Sequence, residues 1–398
     1  TQALVAMQLD PEDIAICLLD ETDAIAPGGA PMSTPIVMTS LFAFPTLEAL
    51  QQGLANESTT HVYSRGQNPT VEVLERKLAR LERGEACKCF GSGMAAVSAA
   101  MLGVVRAGDH VLFVNQTYGP TLQLAEHLTH FGVSHDVLLA TDAASVAAAL
   151  RLNTRLVWLE SPGTMTFRVL DLEAITAVVR AHGAITCIDN SWATPLLQKP
   201  ITLGVDIVVH TASKYLNGHS DLMAGAVITT SARLREIFYR AYLLNGGIQS
   251  AHEAWLVLRG LRTLPTRLRQ QEADALTIAH ALREHPAVAA VHHPVFAADA
   301  ALVARQFRGF SGTFSFTLVR DDVERVRQVV NGLRHFQIGV SWGGVESLVI
   351  APANGHNDAR LAAQEIPRGT IRISVGLEGA DVLLADLRQS LDVALAAA

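Results

Sequence analysis

Three short stretches of the chain combine residue types that do chemistry with flanking patterns that would hold them still. Gly91-Ser92-Gly93-Met94-Ala95-Ala96 follows one apolar run and opens another of helical spacing. A turn of that kind offers backbone N–H groups at a helix N-terminus to a phosphate. Asp189 and Asn190 close the apolar run Ala184–Ile188, where an acid is poorly placed for a solvated face. Thr211-Ala212-Ser213-Lys214 closes the run Asp206–His210 in the same way. Two hydroxyls beside a lysine suit a phosphate, and a lysine at a strand end can act as a nucleophilic amine. Each stretch has an ordinary structural alternative: a tight turn of small residues, a helix N-cap, an exposed loop lysine. The coincidence sets them apart, because in an open α/β sheet all three emerge at one edge, where the strands' carboxyl ends bind ligands.

Taken together, the three stretches describe a ligand with a phosphate, a basic nitrogen and an aldehyde. The helix N-terminus and hydroxyls take the phosphate, Asp189 keeps the nitrogen protonated, and Lys214 takes the aldehyde. Pyridoxal 5'-phosphate is that ligand, since it needs a lysine Schiff base and an acidic partner for its pyridinium. The Gly91–Ala96 turn alone also fits the G-x-G-x-x-A fingerprint of a dinucleotide site. That reading needs an acid after the next strand. Asp109 instead precedes the strand His110–Val114, and Asn115 follows it, which argues against a nicotinamide-dependent dehydrogenase.

The elements that must position these residues follow from periodicity. The pair Pro69-Thr70 caps a helix with the stripe Val71, Leu74, Leu78 and Leu81, ended by Gly84. Strands are expected at Ala86–Phe90, His110–Val114, Leu156–Leu159, Ala184–Ile188 and Asp206–His210, with helices at Met94–Val105, Pro120–His130 and Leu172–Ala181 between them. This alternation implies an α/β fold with a mostly parallel sheet covered by helices on both faces. Beyond about residue 250 the grammar changes. Helices near His252–Arg259, Thr266–Arg283, Val323–Gly332 and Ala380–Ala397 mix with strands at Ser311–Val319 and Leu348–Ile350, as in a smaller α+β domain. Before residue 63 a short helix near Pro11–Asp20 leads into irregular chain broken by prolines.

Charge is distributed unevenly. Residues 1–64 hold eight acids and no Lys or Arg, so the formal charge of −7 lies in this segment and the rest of the chain is close to neutral. A near-neutral body gives no basic face for nucleic acid. The N-terminal segment has neither the basic start of a secretory leader nor the arginines of an organelle presequence, and no apolar run is long enough for a membrane span. Four cysteines in 398 residues make no disulfide scaffold. Cys87 and Cys89 have no second Cys/His pair at zinc spacing, so they read as buried apolar residues and no metal is expected. A reduced cytoplasmic compartment fits this cysteine use.

Several longer stretches resemble the Cys/Met-metabolism family of pyridoxal-phosphate enzymes. They are Tyr63-Ser64-Arg65-Gly66-Gln67-Asn68-Pro69-Thr70, the Gly91–Ala96 turn, Ile188-Asp189-Asn190-Ser191-Trp192 and Thr211-Ala212-Ser213-Lys214-Tyr215-Leu216-Asn217-Gly218-His219. Arg259-Gly260-Leu261-Arg262-Thr263-Leu264 and Ile371-Arg372-Ile373-Ser374-Val375-Gly376-Leu377-Glu378 extend the likeness from about Pro35 to the end of the chain. The resemblance implies the fold-type I, aminotransferase-like α/β fold. It divides the chain into an N-terminal arm for inter-subunit contacts (1–62), a cofactor domain (63–252) and a C-terminal domain (253–398). It further implies a homotetramer built from tight dimers that share their active sites.

By the same likeness Lys214 is the Schiff-base lysine and the acid/base, Asp189 pairs with the ring nitrogen and Tyr118 stacks on the ring and can carry a proton. The backbone of Gly93 and Met94, with Thr211 and Ser213, holds the phosphate. Tyr63 and Arg65 reach that phosphate from the neighbouring subunit. Arg372, helped by Ser341, takes the substrate α-carboxylate. Within the family, Ser341-Trp342 and Glu160-Ser161-Pro162-Gly163-Thr164-Met165 resemble the β-lyase branch, while Tyr63–Thr70 is closer to the γ-acting members. The expected activity is carbon–sulfur cleavage by β-elimination of L-cystathionine. The alternatives are a methionine or cystathionine γ-lyase, a cystathionine γ-synthase-type reaction and, from another class, a non-catalytic scaffold.

Overall fold

The computed structural model describes residues 7–21 and 31–396. Helix α1 (Pro11–Leu18) is capped by Asp10, whose carboxylate accepts from the Glu12 amide. A second arm helix, α2 (Leu47–Ala55), forms in chain that looked irregular. Its cap is Thr46, which accepts from Ala49 N at 3.2 Å, and its largely exposed, short sequence left no apolar stripe to read. Helix α3 (Pro69–Glu82) corrects one expected cap. Pro69 occupies the first turn, where a missing N–H costs nothing, and Asn68 is the capping residue, accepting from Thr70 N at 3.0 Å. The helix ends at Arg83, in a left-handed conformation with φ 61°.

Seven strands form the large sheet: β1 (Ala86–Phe90), β2 (His110–Val114), β3 (Ser134–Leu138), β4 (Thr154–Glu160), β5 (Ile185–Asp189), β6 (Ile207–His210) and β7 (Gly225–Thr229), in the order β1-β7-β6-β5-β4-β2-β3. Strand β7 runs antiparallel to both its neighbours and the other pairs are parallel. The carboxyl ends of β1, β5 and β6 therefore share one edge, as the alternation required. Two strands of this sheet escaped the sequence reading. Strand β3 is a polar, half-exposed edge strand, and β7 returns from β6 without the crossover helix that marks parallel strands. Helices α4 (Gly93–Leu102) and α5 (Gly119–Leu128) follow β1 and β2.

A five-stranded sheet of order β10-β11-β12-β9-β8 lies entirely beyond residue 252. Its strands are β8 (Val288–His292), β9 (Thr313–Leu318), β10 (Gln337–Ile338), β11 (Leu348–Ile350) and β12 (Thr370–Ser374). One continuous apolar cluster runs from Leu74 and Leu112 beneath the large sheet to Phe314 and Ile371 of the small one, so the two sheets share a core. Cys87 and Cys89 both pack into that cluster. All four cysteines are free and buried. Among the described residues no helix is long and apolar enough to cross a membrane.

The acidic start of the chain is neutralised by the chain itself. Asp13, fully buried, lies 2.7 Å from Lys199 and 3.0 Å from Arg83. Asp20 lies 2.5 Å from Lys77 and 2.9 Å from Arg262, and Asp10 lies 3.3 Å from Arg308. Residues 10–21 thus dock on the rest of their own chain. Removing one partner of a buried ion pair leaves the other charge stranded. Asp13→Ala is therefore expected to destabilise the protein by about 3–5 kcal/mol in urea unfolding, and a loss under about 1 kcal/mol would show these pairs to behave as surface ones.

Candidate active site

The turn after β1 is shaped by contact with the loop after β6. Ser92 caps α4 by accepting from Ala95 N at 3.1 Å, which leaves the first-turn N–H groups of Gly93 and Met94 without intrahelical acceptors. A Cβ on Gly93 would stand 2.3 Å from Thr211 Oγ1, so only glycine lets the helix N-terminus close on Thr211. Asp189 ends β5 and accepts from Ser191 N at 2.9 Å and from Ser191 Oγ at 2.5 Å. The Ser191 hydroxyl in turn accepts from Thr211 N at 2.6 Å. Asp189, Ser191 and Thr211 thus form one hydrogen-bonded chain across two strand ends. Burial raises the Asp189 carboxyl above the usual range, opposed by the Ser191 donors and by the charges of His210 and Lys214. The Ser213 hydroxyl is engaged by the Ala224 backbone, whose N–H it accepts at 2.8 Å.

Lys214 reaches across to the C-terminal sheet, donating to Ser341 Oγ at 2.7 Å. Its ammonium stands 5.5 Å from the centre of the Trp342 ring. Burial, then the nearby Arg372 charge, push its pKa down to about 8, with Asp189 opposing. Arg372 projects from β12, 7% exposed, and its side chain makes no hydrogen bond or ion pair with the described residues. Burial lowers even this guanidinium, to about 10. An interior cation without an anion is costly and suits an incoming carboxylate.

The remaining expected residues fall into place differently. Tyr118 precedes α5 with an exposed side chain, and its backbone N–H donates to Glu160 Oε1 at 2.7 Å. Tyr63 and Arg65 are exposed, with the Arg65 guanidinium 5.4 Å from the Tyr63 ring centre. Neither is bonded to Lys214, Asp189 or Thr211. Tyr215 turns away from Lys214 into the core and bonds Thr313 Oγ1 at 2.8 Å. Tyr242 packs beside Phe90 and Phe238, also in the core. His219 and Asp221 belong to a loop network through Asn217. Two residues that the sequence reading left out of the site are Ser191, two places after the acid, and Glu160, a second buried acid at a strand's carboxyl end.

The donor set fits pyridoxal phosphate. A free amine of lowered pKa faces the site, a carboxyl with only Ser191 as donor waits for a cationic nitrogen, and the glycine turn leaves backbone N–H groups for a phosphate. Similarity to known proteins agrees. The family model described as Cys/Met metabolism PLP-dependent enzyme matches residues 22–392. A cystathionine beta-lyase of Lactococcus lactis subsp. cremoris is 38% identical over 371 residues, covering 91% of this chain and 94% of that protein. An L-methionine gamma-lyase of Fusobacterium nucleatum subsp. nucleatum is 36% identical over 370 residues, covering 91% and 93%. The crystal structure of cystathionine gamma synthase from Xanthomonas oryzae pv. oryzae with aminoacrylate and cysteine superposes with a TM-score of 0.89 at 34% identity, covering 97% of this chain and 99% of that one. The chain belongs to the Cys/Met metabolism family of PLP-dependent enzymes, with their fold-type I architecture and pyridoxal phosphate as cofactor.

The amine that captures the cofactor must be unprotonated. With Lys214 at about 8, the rate at which stripped enzyme takes up pyridoxal phosphate is expected to rise about tenfold per pH unit below that value and level off above it. Arg372→Leu removes a repelling charge and is expected to move the bend to higher pH. A rate profile that bends at the ordinary lysine value in the unaltered enzyme contradicts this account.

Proposed function

We propose that the protein is a carbon–sulfur lyase that converts L-cystathionine and water to homocysteine, pyruvate and ammonia by β-elimination. Pyridoxal phosphate supplies an aldehyde that takes up the substrate amino group and a ring that stores the electrons left at Cα. The chain's own residues do the rest. Arg372 and Ser341 hold the substrate α-carboxylate. Lys214 removes the Cα proton, and Lys214 or Tyr118 returns a proton to the sulfur leaving Cβ. Asp189 keeps the ring nitrogen protonated, and Tyr118 covers the ring face. The N–H groups of Gly93 and Met94, with Thr211 and Ser213, bind the phosphate.

The observation that carries the choice of β-elimination is Trp342, which follows Ser341 and places its ring 5.5 Å from the Lys214 ammonium. An aromatic wall at this position narrows the space beside the proton-transferring amine. The Glu160–Met165 stretch and the 38% identity to a cystathionine beta-lyase support the same reading. A second reading, γ-elimination of methionine, draws on the Tyr63–Thr70 wording and on relatives 36% identical. It asks Lys214 for a further proton transfer at Cβ. Cystathionine, methionine, cysteine and O-acetylhomoserine supplied separately, with the keto acid identified, distinguish the two. Pyruvate from cystathionine is expected, and 2-oxobutyrate as the main product overturns the β-lyase.

The family likeness further supports a homotetramer in which each dimer shares its sites. Exposed Arg65, in no ion pair with the described residues, is suited to meet the phosphate of the neighbouring subunit. Arg65→Ala is expected to weaken cofactor affinity about tenfold or more, as loss of a charge-assisted phosphate contact would, while the stability of the stripped protein stays within about 0.5 kcal/mol. Unchanged cofactor affinity in that variant counts against the shared site.

A further inference from the structure

Glu160 lies at the carboxyl end of β4, paired in register with Asp189 of β5. Paired residues of adjacent parallel strands face the same side, with the strands about 4.8 Å apart. The two carboxyl groups therefore stand side by side, Glu160 6% exposed and without an ion pair among the described residues. Its bonds are specific. Its Oε1 accepts from the Tyr118 amide at 2.7 Å, and its backbone carbonyl accepts from Asn115 Nδ2 at 2.9 Å. Asn115 is held for this with φ 75°, and a side chain on Gly163 would strike it at 2.8 Å. The turn between β2 and α5 is thus clamped to the end of β4 by two hydrogen bonds, both donated by the turn and both accepted by Glu160.

We propose that Glu160 is a positioning residue for the cofactor: by fixing the Tyr118 amide it sets the aromatic face of Tyr118 relative to the carboxylate of Asp189. Two carboxyl groups this close in an apolar setting do not both ionise. Asp189 has two donors from Ser191 and Glu160 has one, so Asp189 carries the charge and Glu160 stays a neutral acid. Burial and the Asp189 charge push Glu160 well above the usual carboxyl range, with the Tyr118 amide only partly opposing. Its work is that of an acceptor of correct length, and a neutral amide can replace it.

The inference rests on the roles proposed for Tyr118 and Asp189, and the test separates the two. Pyridoxal phosphate is titrated into stripped enzyme, and the visible circular dichroism of the bound cofactor reports the ring's setting. Glu160→Gln is expected to hold cofactor within about twofold of the unaltered enzyme, with the same dichroism. Glu160→Ala is expected to lose about five- to tenfold in affinity, the worth of one buried hydrogen bond, and to alter the dichroism. Glu160→Asp keeps the acid but withdraws it by one methylene. It is expected to behave like the alanine variant, and it serves where alanine at a buried strand end prevents folding. Shortened variants with normal affinity and dichroism overturn the inference, as does a glutamine variant as impaired as they are. Asp189→Asn is measured alongside. A normal cofactor in that variant overturns the underlying roles, whereas a disturbed one beside a normal Glu160→Ala overturns the role of Glu160 alone.

Discussion

Arg372 carries a positive charge in the interior with no anion beside it, and much of the site is arranged around that imbalance. Burial first, and then its field, lower Lys214 to about 8, so a lysine that would be inert as an ammonium becomes a usable amine near neutrality. Asp189 offsets part of the excess charge, and Ser191 holds it in place. The site is electrostatically incomplete until anions arrive, and the expected ligands bring them: a phosphate for the turn at Gly93 and a carboxylate for Arg372. Such a site binds by relieving an internal cost as well as by forming new contacts.

The opposite holds at the start of the chain. There the acids of residues 10–21 are matched with cations from α3 and its cap, the large-sheet domain and the C-terminal region, and Asp13 and Asp20 each meet two bases. The uneven charge that the sequence displays is therefore an intramolecular seam. An acidic segment and a near-neutral body are complementary parts of one surface, and the net charge of −7 carries no information about an external partner.

Strand ends were legible in the sequence because chemistry and pattern coincide there. Asp189 and Lys214 each interrupt an apolar run at its carboxyl end, and the sheet topology brings both to one edge. Arg372 was legible only through resemblance to a family. It lies inside the five-residue strand β12, where a charged residue between two isoleucines looks like ordinary alternation. Ser191 and Glu160 were missed for a related reason, since their importance lies in partners 20 and 42 residues away that periodicity does not pair. Lost elements such as α2, β3, β7, β8, β10 and β12 are short or lie outside the strict strand–helix alternation, and tertiary contacts rather than local pattern hold them.

In the proposed mechanism Lys214, Asp189 and Arg372 would serve β- and γ-elimination equally, because both begin by removing the Cα proton from a substrate held by its carboxylate. Their presence therefore selects a cofactor chemistry and leaves open which bond breaks. Choice between the two must come from groups that meet the substrate beyond Cα, where a γ-lyase needs room for a second proton transfer and a β-lyase does not. Trp342 stands against the Lys214 ammonium, and in the proposed mechanism Tyr118, on its Glu160 tether, would border that space from the other side. These two aromatic walls, set by the small sheet and by the end of β4, are where reaction specificity is to be sought.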